Sequence, residues 1–320
     1  DIADGDGNTL HYTLDNAGNR TGEDTRNSGG TLARTLSRVY NQLGQLQSQS
    51  DAYSHATGYT YDANGNTDVF TDALSRSTDN DYDPLSRLKQ TIQGVGGIAA
   101  TTQFQYDAQD NLTRVTDPKG LNTDYTYNGL GDLTQLTSPD TGSTTYTYDS
   151  AGNRASQTDA RAKVQNYTYD ALNRLKQITG PTRTYTYDNN NTAVCPTNER
   201  FGKGRLTGLT DQSGTTKYCY NRFGDLVRKV QTTNAIVFTT RYGYDAAGRL
   251  ATTTYPDGAV LDGVRDGEGR ITQLGITPVG GTRQIVLTGV TYAPFGPSTG
   301  WTYGNGRSVL RSLNQNYQPQ

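Results

Sequence analysis

The 320-residue chain contains no methionine, one tryptophan, two histidines and two cysteines. Leu, Ile, Val and Phe together make up about one residue in six, which is too little for a conventional aliphatic core. The net charge is only −2, so the high charge that usually accompanies disorder is also missing. A folded structure therefore depends on the 23 tyrosines, each of which can bury about 150–250 Å².

Long runs of one chemical character are absent as well. The 29 basic and 31 acidic residues are interspersed, which makes nucleic acid a poor candidate partner. No apolar run approaches the roughly 18 residues that a membrane-spanning segment requires. The chain opens with "DIADGDGNTL", without a hydrophobic signal region or an initiator methionine. We therefore expect no membrane span, and we expect the chain to be a piece of a longer protein.

A motif of two tyrosines followed by aspartate recurs along the chain. Clear copies are "YTYDANGNT" (59–67), "YTYDSAGNR" (146–154), "YTYDALNRL" (167–175) and "YGYDAAGRL" (242–250). Indexed by the second aromatic position, seven of thirteen steps equal 21 residues, and the series runs from Leu14 to Leu313. A fixed period of this length indicates a repeat architecture. We therefore expect one continuous array over residues 1–320, without a domain boundary.

Each repeat predicts strand, turn, strand, turn. Residues two apart share one face of a strand, so the two tyrosines lie together and the intervening threonine lies opposite. Asp and Gly then supply turn chemistry, and a second strand follows, as in "LTRVT" (112–116) and "LKQIT" (175–179). We expect tyrosines of successive repeats to stack in ladders. The positions assigned to this structural repeat are Tyr59, Tyr61, Asp62, Gly65, Tyr125, Tyr127, Gly131, Tyr146, Tyr148, Asp149, Gly152, Tyr167, Tyr169, Asp170, Tyr242, Tyr244, Asp245 and Gly248.

The pattern Y-x-Y-D-x-x-G-N/R with this period resembles the YD repeat of the Rhs family, which includes bacterial Rhs toxins, the C component of Tc toxins, and teneurins. The resemblance implies an all-β fold in which antiparallel hairpins form a curved, spiralling sheet, part of a hollow shell. It further implies a non-catalytic segment, secreted or on a bacterial cell surface. Its partners would be the rest of its shell and an enclosed C-terminal toxin domain. Cell-surface adhesion or carbohydrate binding, with glycans as partners, is the alternative function.

Some Rhs shells end in a self-cleavage motif, and "DPKGL" (117–121) matches its second half. However, the position five residues before Asp117 is Leu112 rather than proline. Asp117 also lies ten residues before Tyr127, the same offset as Asp72 before Tyr82. We interpret Asp117 as an ordinary turn residue.

Other candidate sites are weak. "DGDGN" (4–8) resembles the start of a calcium loop, but the twelfth position, counted from Asp4, is Asp15 rather than glutamate. His11 and His55 lie far apart, which favours neither a metal site nor a catalytic triad. The glycines follow the turns and form no phosphate-binding loop. We therefore expect no catalytic residue, metal or cofactor.

Cys195 and Cys219 flank the largest irregularity, a 33-residue step between Tyr187 and Tyr220. Because Cys219 lies between two tyrosines, it points away from the tyrosine face. A disulfide would pin the inserted loop to that opposite face and would favour an oxidising environment. Two free thiols and a metal site with further ligands are the alternatives.

Strand alternation also assigns the two faces of the sheet. We expect the tyrosines and the aliphatic residues of the second strands to face inward, and Thr, Lys, Arg and Gln to face outward. Too few aliphatic residues are present for two opposed walls to meet at interior packing density. We therefore expect an open, curved strip with unpaired edges at both ends, beside a water-accessible space.

Overall fold

The computed structural model describes residues 1–320, and nearly all of its regular structure is β-strand. The first fourteen strands are β1 Ile2–Ala3, β2 Thr9–Leu14, β3 Arg20–Arg26, β4 Leu32–Tyr40, β5 Leu46–Asp51, β6 Ala56–Tyr61, β7 Thr67–Thr71, β8 Ser77–Tyr82, β9 Leu88–Gln93, β10 Ala100–Tyr106, β11 Leu112–Thr116, β12 Asn122–Tyr127, β13 Leu133–Ser138 and β14 Gly142–Tyr148.

The remaining strands are β15 Arg154–Thr158, β16 Val164–Tyr169, β17 Leu175–Thr179, β18 Arg183–Tyr187, β19 Leu206–Asp211, β20 Gly214–Tyr220, β21 Leu226–Thr233, β22 Ile236–Tyr244, β23 Leu250–Thr254, β24 Val260–Arg265, β25 Ile271–Thr277, β26 Gln284–Tyr292, β27 Ser298–Tyr303 and β28 Ser308–Leu310. One 3₁₀ turn, Thr197–Glu199, interrupts the pattern between β18 and β19.

The 28 strands form one sheet. Consecutive strands pair antiparallel from β1 to β11, from β12 to β24 and from β26 to β28. The prediction of an all-β fold built from repeated antiparallel hairpins is confirmed. The predicted second strands also appear as expected, for example β11 at "LTRVT" and β17 at "LKQIT".

The hairpin of β14 and β15 illustrates the local geometry. Thr147 pairs with Ser156 and Tyr148 pairs with Arg154, so Ala155 is left over as a bulge. Gly152 has a φ of 82°, the left-handed conformation that a bulged hairpin loop of this length requires at its last turn position. The same register shift precedes Tyr127, Tyr169 and Tyr244 in their hairpins, so the Asp-to-Gly spacing of the repeat encodes this turn.

The predicted tyrosine ladder is wrong in detail. The first tyrosine of a motif lies opposite an apolar residue of the following strand: Tyr59 opposite Phe70, Tyr125 opposite Leu136 and Tyr167 opposite Ile178. Strands with tyrosines alternate with strands that carry these residues, so tyrosines of successive repeats are two strands, or about 9.6 Å, apart. The ladder is therefore mixed, although tyrosines and apolar residues do share one face.

The sheet has little buried interior. Its buried apolar side chains are Cys195, Cys219, Val230, Ala259 and Ala293. Cys195 lies in the inserted loop, Cys219 in β20 and Val230 in the adjacent strand β21. The other two are alanines. Stability must therefore come mainly from hydrogen-bonded strands and half-buried side chains rather than from a central core.

Contacts within the sheet group into two units. The first comprises Asp1–Thr123, Arg265–Thr272 and Leu287–Gln320, and therefore joins the beginning of the chain to its end. The second comprises Asp124–Val264 and Gln273–Val286, and contains the inserted loop with both cysteines.

Candidate functional site

Two kinds of turn connect the strands. We call those that open at the Asp or Asn after the second tyrosine position YD turns, and those that join the second strand to the next repeat return turns. Because consecutive strands are antiparallel, the YD turns follow one edge of the strip and the return turns follow the other. The Asp or Asn that opens a turn is counted below as its first residue.

The carboxylate of the motif organises the YD turn. Asp149 Oδ1 accepts the N–H groups of Ala151 and Asn153, both at 2.9 Å, and Asp149 Oδ2 accepts the Asn153 amide at 3.2 Å. The bond from the Asn153 N–H is the main reason why the pKa of Asp149 lies below its usual value. Asn128 makes the same backbone bonds to Leu130 and Asp132. The repeated Asp is thus a hydrogen-bond acceptor that holds its own turn.

In most repeats the second tyrosine forms a hydrogen bond to the repeat before it. Tyr148 donates its hydroxyl to the Leu133 carbonyl at 2.9 Å, and Tyr61 does the same to the Leu46 carbonyl at 2.7 Å. In both cases the acceptor is the first residue of the preceding second strand. The β13–β14 ladder begins at Gln135 and Thr145, so the Leu133 carbonyl lies beyond it and takes the hydroxyl instead. Strand alternation within one repeat does not predict this bond, because it depends on how neighbouring strands are aligned.

Arginine side chains cover several of these rings. The Arg154 guanidinium lies 4.6 Å from the centroid of the Tyr146 ring, and that of Arg174 lies 4.3 Å from the Tyr187 ring. A guanidinium at this distance makes a cation–π contact worth about 0.5–1 kcal/mol at exposed positions. Arg154 and Arg174, each at the end of a YD turn, therefore help to shield the tyrosine face from water.

The first return turn contacts a YD turn 263 residues later. The Gly5 N–H donates to Glu268 Oε1 at 2.7 Å, and Arg270 Nη2 donates to Asp6 Oδ2 at 2.5 Å. Arg270 also bonds Asp266, the first residue of its own turn. Both turns belong to the first unit.

A second pair of turns repeats this chemistry. Asn316 Nδ2 donates to Asp51 Oδ2 at 2.5 Å, and Asn316 Oδ1 accepts the Ala52 N–H at 3.3 Å. The Gln315 N–H also donates to the Tyr53 hydroxyl at 3.4 Å. Burial alone would raise the pKa of Asp51, but bonds from the His55 and Tyr53 N–H groups, the His55 ring and Asn316 lower it to about 2.

The two contacts share one geometry. In each, the third residue of a YD turn, Glu268 or Asn316, accepts the N–H of the second residue of a return turn, Gly5 or Ala52. We call this pair of contacts the seam. Strand patterning could not reveal it, because nothing within one repeat identifies which distant turn lies opposite.

The inserted loop between β18 and β19 is tied to the sheet at several points. Cys195 and Cys219 form a disulfide with their Cα atoms 5.6 Å apart. The buried Asn191 donates its amide to the Thr207 and Tyr218 carbonyls at 2.6 and 3.2 Å. Cys219 lies between Tyr218 and Tyr220 in β20, so the loop covers the face opposite the tyrosines.

An ion pair adds to this attachment. Arg228 makes a bidentate contact with Glu199 at 2.6 and 2.8 Å, and both side chains are largely buried. The paired carboxylate is the main reason why the pKa of Arg228 is raised. A bidentate geometry of this kind is the strongest form of charge-assisted hydrogen bond in proteins.

The other candidates lie in turns of the repeat or, in the case of His11, in strand β2. Asp117 Oδ1 accepts the N–H groups of Lys119 and Leu121 at 2.8 Å, and Asp4 Oδ1 accepts those of Asp6 and Asn8. His55 Nδ1 lies 2.9 Å from Asp51 Oδ2, and His11 contacts Asp1. No group of three or more His, Cys, Asp or Glu side chains is arranged to hold a metal ion. The structure also contains no helix with the length and apolar character needed to cross a bilayer.

Comparison with known proteins identifies the repeat. A family model for the teneurin YD-shell matches residues 10–160 and 118–262, which together cover most of the chain. No curated protein sequence is significantly similar to it.

Solved structures share the fold. A crystal structure of TcdB2-TccC3 superposes with a TM-score of 0.82 at 18% identity, covering 97% of this chain and 18% of its own. A structure of a Photorhabdus luminescens Tc holotoxin pore with a mutant TccC3 gives a TM-score of 0.65 at 15% identity, covering 98% of this chain and 21% of its own. These matches confirm the predicted curved, open sheet. The chain spans only about a fifth of the length of the chains it matches.

Proposed function

Because the chain belongs to the teneurin YD-shell family, we propose that residues 1–320 form one continuous, non-catalytic segment of a shell wall that encloses a toxin or effector cargo. Its partners are the remaining repeats of the shell and the enclosed domain. The wall acts by confinement, since a sheet of paired strands keeps the contents away from solvent and from the surroundings.

The seam is the observation that carries this proposal. A wall needs contacts between neighbouring rows of hairpins as well as between neighbouring strands. Arg270 with Asp6 and Asn316 with Asp51 supply such contacts between turns on opposite edges of the strip. The tyrosine bonds, such as that from Tyr148 to Leu133, tie successive repeats along the strip. Both features stabilise a single layer that has little buried interior.

Carbohydrate binding is less well supported. A sugar-binding repeat would present aromatic faces and free hydroxyls to solvent, with polar side chains beside them. Instead, the hydroxyls of Tyr61, Tyr148 and Tyr169 donate to backbone carbonyls, and their rings are half-buried. The repeated tyrosines are therefore engaged in holding the sheet.

The Cys195–Cys219 disulfide supports a secreted or cell-surface location, because disulfides persist mainly in oxidising environments. The candidate residues Asp117, His11 and His55 lie in ordinary turn or strand positions, which supports a wall without enzymatic activity. A hydrolytic activity that co-purified with the chain and disappeared on substitution of one of these residues would contradict this part of the proposal.

Small-angle X-ray scattering on monomeric protein tests the wall function. A compact domain of this length would have a radius of gyration of about 20 Å. We expect a clearly larger value and a scattering profile typical of a thin curved wall. A value near 20 Å would mean that the faces pack on each other, and it would contradict a wall beside a water-accessible space.

A further inference from the structure

One patch of the tyrosine face carries polar and charged side chains where the repeat usually carries rings and apolar residues. Arg38 occupies the position of the first tyrosine of its repeat, two residues before Tyr40. Glu23, opposite Tyr12, occupies a position that other repeats give to an apolar residue. Gln49, opposite Arg38, does the same. The repeat pattern of this face is therefore interrupted on three successive strands, β3 to β5.

Three guanidinium groups gather around the single carboxylate of Glu23. Glu23 lies in the middle of β3, and Arg34 and Arg38 lie diagonally across from it in β4, on the same face. Arg20, at the start of β3, reaches the same carboxylate from the side of the YD turn. We call Arg20, Arg34 and Arg38 the arginine cluster. Three guanidiniums around one carboxylate leave a surplus of two positive charges.

Glu23 holds none of the three guanidiniums tightly. Its carboxylate oxygens lie 3.3 Å from Arg20 Nη1, 3.4 Å from Arg34 Nη1 and 3.8 Å from Arg38 Nη1. A charge-assisted hydrogen bond is normally about 2.7–2.9 Å long. Arginines of the turns lie 2.6–2.8 Å from their own carboxylates, as in Arg76, Arg87, Arg174, Arg249 and Arg270. The N–H donors of the arginine cluster are therefore poorly used by comparison.

Arg38 shows this deficit most clearly. Its Nε donates to Gln49 Oε1 at 3.1 Å, but its Nη1 is buried and has no hydrogen-bond partner. The acidic residue next to Glu23, Asp24, cannot supply an acceptor, because it lies on the opposite face and bonds Thr35 there. A buried donor without an acceptor is costly, so an anion that reached Arg38 Nη1 would be bound favourably.

The arginine cluster has a buried floor and an accessible rim. The side chains of Glu23 and Arg38 retain 14% and 18% of their exposure, whereas those of Arg34 and Arg20 retain 39% and 45%. The Arg20 guanidinium carbon lies 3.8 Å from the centroid of the Tyr12 ring, which helps to hold it in place. Because Glu23 lies in the middle of its strand, contacts between turns of neighbouring rows leave this part of the face uncovered.

We propose that the arginine cluster binds a small oxyanion with two negative charges, of which inorganic phosphate is the simplest. Its charge matches the surplus of two, and guanidinium groups suit phosphate oxygens because their N–H donors are arranged as a planar fork. One phosphate oxygen accepts from the buried Nη1 of Arg38, and others accept from Arg34 and Arg20. The bound anion ties β3 to β4. This binding needs no cargo and no closed shell, so it stands or falls separately from the wall function.

Isothermal titration calorimetry with inorganic phosphate, at an ionic strength held constant with sodium chloride, tests the site. We expect saturable binding of one phosphate per chain. Arg38→Gln and Arg34→Gln should each weaken it about tenfold or more, as expected for the loss of one charge-assisted hydrogen bond. The matched control is Arg283→Gln, which removes an arginine already paired with Asp262 at 2.6 Å and should leave phosphate affinity unchanged.

Glu23→Gln provides the sharpest test, because two roles of Glu23 predict opposite signs. If phosphate binds beside the carboxylate, removal of this negative charge should tighten phosphate binding about tenfold or more. If Glu23 only holds the arginines in place, its loss should weaken binding instead. Glycerol phosphate, titrated in the same way, identifies the source of the anion. Binding as tight as that of inorganic phosphate indicates a phosphate group on a larger molecule, and binding of inorganic phosphate alone indicates a free ion.

Three results would overturn the proposal. The first is the absence of saturable binding at millimolar phosphate. The second is an equal phosphate affinity of the intact chain, Arg34→Gln and Arg38→Gln, which would place the anion elsewhere. The third is weaker binding to Glu23→Gln in a variant whose circular dichroism spectrum is unchanged. Calorimetry is preferred to thermal melting, because phosphate also stabilises folded proteins in general by exclusion from their surface.

Discussion

Arg270 donates hydrogen bonds to Asp266 in its own turn and to Asp6, which precedes it by 264 residues. One guanidinium thus serves both the local turn and the seam. The carboxylates of Asp266 and Asp6, in that order, raise the pKa of Arg270. The pairing with Asp266 can be anticipated from the repeat, whereas the pairing with Asp6 cannot.

Substituting Arg270 should loosen the seam without unfolding the sheet. Surface ion pairs contribute about 0.2–1 kcal/mol, so Arg270→Ala should change global stability little but increase hydrogen exchange at residues 4–8. The matched control is Arg249→Ala, which removes the equivalent bond to Asp245 in a turn outside the seam. Equal exchange at residues 4–8 in both variants would show that the Asp6 contact does not hold the edges together.

Acid should weaken the second contact of the seam. The pKa of Asp51 in the fold is about 2, below the usual 3.8, so its ionised form is stabilised by folding. That contribution is fully present above about pH 4 and is lost as the pH falls towards 2. We expect the melting temperature of the chain to exceed that of Asp51→Asn at pH 5, and the difference to shrink between pH 4 and 2.

Asp159→Asn is the control for this pH dependence, since it changes a return-turn carboxylate outside the seam. The pKa of the Asp159 carboxyl is also lowered, mainly by the Lys163 N–H. A smaller effect of the same sign is therefore expected from Asp159→Asn. A difference between the chain and Asp51→Asn that stays constant from pH 4 to 2 would contradict the role of the ionised Asp51.

The disulfide should stabilise the chain through the 24-residue separation of its cysteines. For a loop of this size the chain-entropy argument gives about 3 kcal/mol. Reduction, or Cys195→Ser with Cys219→Ser, should therefore lower stability and expose the loop around residues 189–203 to proteases. A thiol titration of the denatured, unreduced protein should detect no free thiol, and two free thiols would refute the pairing.

Removing one tyrosine hydroxyl tests the link between repeats. Tyr148→Phe deletes the 2.9 Å bond to the Leu133 carbonyl and should cost about 1 kcal/mol. Tyr146→Phe changes the neighbouring ring, which packs under Arg154, and should cost less. Urea denaturation of both variants measures the difference. Equal stabilities would mean that the hydroxyl bond contributes nothing beyond what water supplies.

The sequence by itself determined the repeated hairpin, because each part of it depends on residues close together in the chain. Asp149 caps the N–H groups two and four positions ahead, and Gly152 takes the left-handed conformation that the turn requires. Alternation along a strand likewise placed the tyrosines and the apolar residues on one face. These features follow from local sterics and hydrogen bonding, so a 21-residue period is enough to predict them.

Only the tertiary structure decided which distant parts meet. The Tyr148 hydroxyl can bond the Leu133 carbonyl because the β13–β14 ladder begins only at Gln135. The register of the sheet, which no single repeat records, decides this. The pairing of Asn316 with Asp51 depends on the curvature accumulated over 265 residues. Small changes in twist at each strand add up over such a distance, and no single repeat records their sum. The choice of partners in the seam is therefore a property of the whole sheet, whereas the form of each turn is a property of its own few residues.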